Sequence, residues 1–189
     1  MKLTVKQKMA LLGGSALLGI SLLAGISQSQ MEKVFDAANY CTINTVPSLY
    51  VLDDLRKNQL RTRIQMNRHI LNTDDKVMAE IEDTLNSNRR GVRAAIQKYQ
   101  KDGCDGGPCV SDDKDREYIK QTEQLWDQFD AKLEPILVES RKGEAGMAKA
   151  RDMMAKTQDL YDKIGTIIND EFDYNMELGK KGAAEAKTV

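Results

Sequence analysis

Histidine, proline and aromatic side chains are scarce in this chain. It has one histidine, three prolines, and aromatics at only 5% of 189 residues. So few prolines and aromatics, beside a charged fraction of 30%, disfavour a sheet-rich domain and favour long solvated helices. Neither sign of charge is in excess: 28 Lys and Arg face 29 Asp and Glu, which argues against a nucleic-acid partner. With His69 alone, Ser-His-Asp and Cys-His catalysis have no second signal, and the carboxylates are spread over helix exteriors. No Glu-x-x-His motif offers a di-iron centre, and no C-x-x-C-H offers a c-type haem. The expectation is a protein that is not an enzyme and carries no cofactor or metal. A b-type haem between His69 and a methionine stays open as an alternative.

One stretch lacks charge altogether. Met9–Ser27 is uncharged, and Lys2, Lys6 and Lys8 precede it. A helix of that length spans roughly 28 Å, close to the hydrocarbon thickness of a bilayer, and the basic flank belongs in the cytoplasm. A cleaved signal peptide is the competing reading, but Gly25-Ile26-Ser27 matches a small-x-small site poorly. Ala10/Gly14, Ser15/Gly19 and Ser21/Gly25 have the spacing that lets membrane helices approach closely. These features divide the chain into a basic cytoplasmic start (1–8), a membrane helix (9–27), an exported domain (28–181) and a tail (182–189). The location implied is the inner membrane, with residues after about 28 in the periplasm.

The exported part predicts an all-α, antiparallel up-down-up-down four-helix bundle. The first helix runs from the membrane segment to Asn72, with Val34, Ala38, Cys41, Thr45, Leu49, Leu52, Met66 and Ile70 at helical spacing. Leu55, Leu60, Ile64 and Leu71 form a second apolar face, which suits a partner helix. Pro47 should bend this helix without ending it. The second helix spans about Asp75–Lys101. The third begins after Ser111 or Asp112 and carries the stripe Ile119, Thr122, Trp126, Phe129, Leu133 and Ile136. The fourth carries Met147, Ala150, Met154, Thr157, Tyr161, Ile164 and Ile168 and continues to about Gly179. Cys104 and Cys109 share one short polar loop and predict a local disulfide; zinc is a rival with no neighbouring Cys or His. Cys41 reads as a small buried apolar residue.

The candidate binding groups are cationic and polar. Arg61 and Arg68 share a face of the first helix, whereas Arg63 falls in the extension of its core stripe. An arginine there must pair with a carboxylate such as Glu80, Asp83 or Glu134, snorkel outward, or bind a small carboxylate bidentately. Gln59, Asn88 and Thr157 all lie roughly 20 Å below the far tip at core-stripe positions, giving a polar layer that is satisfied internally or holds water or ligand. The ligand-binding candidates are Arg61, Arg63, Arg68, Asn88 and Thr157.

Thr62-Arg63-Ile64-Gln65-Met66-Asn67-Arg68 is similar to the T-R-I-x-x-x-R run in the first helix of the aspartate and serine chemoreceptors. Over essentially its whole length the chain resembles the periplasmic sensor of bacterial methyl-accepting chemotaxis proteins of the four-helix-bundle type. The resemblance implies a homodimer through the first helix and a small carboxylate ligand, with Arg63 and Arg68 helping to bind it. The family's third arginine falls at Asn72 and the ligand segment of its fourth helix has no counterpart, so amino-acid specificity does not carry over. Beyond Val189 the resemblance implies a second membrane helix, a HAMP linker and a signalling hairpin, through which a cytoplasmic kinase would be coupled. A ligand-free structural or partner-binding bundle is the alternative.

Overall fold

The computed structural model describes residues 4–188, and every named element in it is helical. Helix α1 (Val5–Tyr40) continues through a π-helical turn (Cys41–Thr45) into α2 (Val46–Ile70), forming one 66-residue rod. Then come α3 (Asp75–Lys101), α4 (Asp113–Ser140), α5 (Glu144–Ala155) and α6 (Gln158–Thr188). The fold is the expected all-α bundle: α2, α3, α4 and the α5–α6 pair pack around one core. Residues 1–3 of the basic start and Val189 of the tail lie outside the described residues.

Local chemistry accounts for the element ends. Thr4 and Gln7 form a capping box at the start of α1. Asp74 accepts from the Val77 amide at 3.0 Å to open α3, and Asp112 accepts from the Asp115 amide at 2.9 Å to open α4. Pro47 has no N–H to give and its ring crowds the carbonyl four residues back. The rod absorbs this by widening into the π-helical turn just before it, where the Val46 amide bonds Cys41 O five residues back. Pro47 therefore does not end the helix.

The stripe of α4 is buried as expected, and Leu52, Leu85, Trp126, Phe129, Leu133 and Ile164 are among the core residues. Each such side chain contributes roughly 1.5–3 kcal/mol by leaving water. Leu55 belongs to this core too, not to the second apolar face expected for it, because it lies one turn from Leu52 on the inward side. Leu60, Ile64 and Leu71 do face outward, at 50%, 46% and 59% exposure. Cys41 is a half-buried free thiol in the π-helical turn, rather than a buried core residue.

The fourth helix differs most from expectation. It is interrupted at Lys156–Thr157 with neither glycine nor proline present. The Thr157 amide and hydroxyl both bond the Met154 carbonyl, at 3.0 and 2.7 Å, and this local bond competes with the ordinary helical ladder. The described part of the tail is helical, since α6 continues to Thr188, and α6 packs beside α1.

The bundle has two distinct ends. At the tip, α2 turns into α3 and α4 into α5. Gly146 is required there, because a Cβ would collide with the Glu139 carbonyl. At the base, the loop between α3 and α4 holds the Cys104–Cys109 disulfide and docks on the rod. Tyr40 donates to Ser111 Oγ at 2.8 Å and Asn44 Nδ2 to Cys109 O at 3.0 Å. Gly179 of α6 also sits at this end, against Thr45, where a Cβ would come within 2.7 Å of the threonine methyl. Below the base, α1 carries an apolar window of mean hydropathy 2.0 with none of it buried, long and apolar enough to cross a membrane.

Candidate functional site

The interruption between α5 and α6 opens a cleft against α2. Its volume is about 440 Å³, and Arg63, Asn67, Arg151 and Gln158 supply its polar lining over Ile70 and Met154. Arg63 reaches it because α2 places residue 63 one turn from the buried Gln59 and Met66 stripe, at the edge of the core. Its Nη2 donates to Gln158 Oε1, and its guanidinium carbon lies 4.4 Å from the centre of the Tyr161 ring. Burial raises the Tyr161 phenol above its ordinary pKa, with Arg63 pulling the other way. Arg63 Nη1 is buried with no hydrogen-bond partner among the described residues.

Arg151 enters the cleft from α5. Among the described residues neither it nor Arg63 makes an ion pair, and no carboxylate lines the cleft. Glu134, an expected partner of Arg63, pairs with Arg141 at 2.9 Å instead. Two guanidiniums and two side-chain amides therefore line one concave surface, the Gln158 Nε2 already donating to Asp162 at 2.7 Å. That combination suits a small anion with planar oxygens.

The five sequence candidates do not share this surface. Arg63 lines the cleft. Arg61 and Arg68 are exposed on the outward face of α2 with Leu60, Ile64 and Leu71, and Arg68 Nη1 donates to Gln65 Oε1 at 3.0 Å. Asn88 is buried on α3, with its Nδ2 unpartnered among the described residues. Thr157 is buried as well, and its hydroxyl is taken up by Met154 O. Gln59 is likewise satisfied internally, donating to Tyr161 O at 3.3 Å. Helical phase explains the separation: residues two or five apart on α2 point to different sides. Arg151 and Gln158 were missed by sequence reasoning. Their i, i+7 spacing with Met154 between them was the available signal.

His69 is occupied as a structural residue. It is fully buried, with Nδ1 2.8 Å from Ser140 Oγ and Nε2 3.0 Å from Glu82 Oε1. Among the described residues no group of three or more His, Cys, Asp or Glu side chains could hold a metal ion.

A helical bundle fed by one apolar rod, with a cationic cleft on its flank, has the layout of a sensory module. The family model of the four helix bundle sensory module for signal transduction, a module of chemotaxis receptors, matches residues 2–189, and the chain belongs to that family. The family is a signalling one rather than a catalytic one. No curated protein matches the chain in sequence.

Proposed function

We propose that this module senses a small organic acid and passes the signal through the membrane as a shift between the rod and the α5–α6 pair. The observation that carries the reading is the pair Arg63 and Arg151 lining one cleft, neither in an ion pair and with no carboxylate in the lining among the described residues. A di- or tricarboxylate would meet Arg63 from α2 and Arg151 from α5 together. Binding would then favour one arrangement of the two elements over the other. Moving such an equilibrium from 1:99 to 99:1 takes about 5.5 kcal/mol of differential binding, so a weak acid would bias it only partway.

A second arrangement has its own support. Ile43, Val46, Tyr50, Leu60, Ile64 and Leu71 are exposed and fall on the a and d positions of one heptad register along the rod. This stripe favours a homodimer through α2, which would set Arg61 and Arg68 beside the partner subunit. The exported, periplasmic placement of residues after about 28 and the division at 9–27 belong to the same reading.

Calorimetry of the full chain in detergent micelles against C4, C6 and aromatic acids tests the proposal. At least one acid is expected to bind. Arg63→Ala should weaken it tenfold or more, equivalent to about 1.4 kcal/mol. A further loss in Arg151→Ala points to the cleft within one protomer, and a loss in Arg68→Ala to the site between protomers. Binding of no acid, or binding indifferent to all three variants, would overturn it in favour of a ligand-free bundle.

A further inference from the structure

At the base of the bundle two carboxyl side chains, Asp115 of α4 and Glu171 of α6, are fully buried. Their surroundings differ. Asp115 accepts from Tyr99 OH at 2.8 Å, from Asn175 Nδ2 at 3.1 Å and from the Ser111 amide at 2.8 Å. Glu171 has no partner on either oxygen among the described residues, and Asn175 Oδ1 is also unpartnered. A carboxylate without hydrogen bonds or a cation cannot be held in a dry core without a large desolvation cost, and a second carboxylate nearby adds repulsion.

Among the described residues the facing groups offer no compensating cation. From α3 the titratable neighbour is Tyr99, whose phenol Glu171 pushes up, and from α4 it is Asp115, which pushes Glu171 up. The buried residues of α2 in the adjoining stretch, Ser48, Val51, Leu52 and Leu55, are uncharged. Arg56 of α2 is exposed and turned to Asn169 and the Phe172 ring, and Asp53 lies in the surface groove beside Phe172. Lys114 is exposed and lies over the Tyr118 and Tyr174 rings; Tyr174 is bonded to Asp112, and Tyr40 of α1 to Ser111.

We propose that the proton is a second input to this module, taken up and released by the Glu171 carboxyl between α4 and α6. With the proton in place, the neutral carboxyl is compatible with the packed core. Proton release to solvent leaves a second negative charge beside Asp115, which the base can relieve only by loosening α6 from α4. Burial first, and Asp115 second, push the Glu171 carboxyl up to about 9, so the input is alkaline. The responding segment is well placed, since α6 continues from here to run beside the apolar α1. This input is independent of the anion cleft and does not require it.

Infrared spectroscopy and thermal unfolding of the full chain in detergent micelles test the assignment. The wild type should show a protonated buried-carboxyl band at neutral pH that is lost as the pH is raised toward 10. Glu171→Gln should lack that band. Glu171 has a folded pKa above its unfolded value, so its stabilisation is complete below the unfolded pKa and is lost as the pH rises through the folded one. The wild-type unfolding temperature should therefore fall between about pH 5 and pH 9, while that of Glu171→Gln stays level over the same window. If Glu171→Gln does not fold, Asp115→Asn decides, because removing the neighbouring charge should shift the band's loss to lower pH. No protonated band at neutral pH, as a bound cation or water would give, overturns the proposal. A Glu171→Gln variant that follows the wild-type profile, or an Asp115→Asn variant with an unshifted band, does the same.

Discussion

The tip and the base of the bundle each bury a titratable side chain, and they treat it in opposite ways. At the tip both ring nitrogens of His69 have partners, and Arg141 neutralises Glu82 with contacts at 2.7 and 2.8 Å while reaching Glu134 as well. Every group in that network has a complement. At the base the Asp115 carboxylate accepts from Tyr99, Asn175 and Ser111, and the Glu171 carboxyl accepts from none of the described residues. A buried polar group that is fully satisfied fixes geometry; one that is not makes geometry depend on its protonation. The tip is thus a lock joining α2, α3 and α4, and the base is the end where charge state can vary. The base is also the end joined to the apolar rod.

Perturbations of the base should exceed those of the tip. Asp115→Ala strands Tyr99 OH in the core and removes the acceptor for the Ser111 amide, while Asn175 Nδ2 keeps Tyr99 OH and the Glu171 carbonyl as partners. At 1–3 kcal/mol for each of the two groups left without an acceptor, the loss should be about 2 kcal/mol or more by chemical denaturation. Burial, with Glu171 and Asp115 close by, raises the Tyr99 phenol well above its ordinary pKa, so it stays a donor. A loss under about 1 kcal/mol would mean that the base relaxes around the gap and the contrast with the tip is false. Next in size is the disulfide. Replacing Cys104 and Cys109 by serine opens a five-residue separation, for which loop entropy gives about 2 kcal/mol. The Asn44 contact to Cys109 O should then loosen, seen as faster amide exchange across Cys41–Thr45 with α3 unaffected.

How much of this was legible in the sequence follows from the same division. Apolar stripes of period 3.6 gave three of the four bundle segments, because burial repeats every three to four residues wherever packing is regular. Arg63 was legible too, as a charge on a core stripe. Arg151 and Gln158 were not, since polar residues seven apart on a helix read as ordinary solvated surface. The interruption at Lys156–Thr157 was hidden because Thr157 occupies a normal core position and only its hydroxyl bond to Met154 reveals the turn. Glu171 was overlooked as one carboxylate among many. The stripe Ile164, Ile168 extends to Glu171 and Asn175 at the same spacing, so continuing it past the last apolar residue would have placed both in the core.

The smallest expected effect is the one that sets the sign of the contrast. Arg141 holds the Glu82 carboxyl below its ordinary range, with His69 as a lesser cause. A lowered carboxyl stabilises the fold above its unfolded pKa and loses that contribution as the pH falls through the folded value, so the tip should weaken in acid. Arg141→Ala removes the main cause. The pair is partly exposed, so the cost at neutral pH should be only about 0.5–1 kcal/mol. Its unfolding temperature should converge on that of the wild type only once the pH has fallen through the lowered folded pKa of Glu82, where the carboxyl is protonated in both. The alkaline loss assigned to Glu171 should survive in this variant unchanged, because the two ends share no partner. If removing a tip arginine instead moves the alkaline limb, the two ends are coupled through the bundle, and the tip is part of the switch rather than the frame against which the base moves.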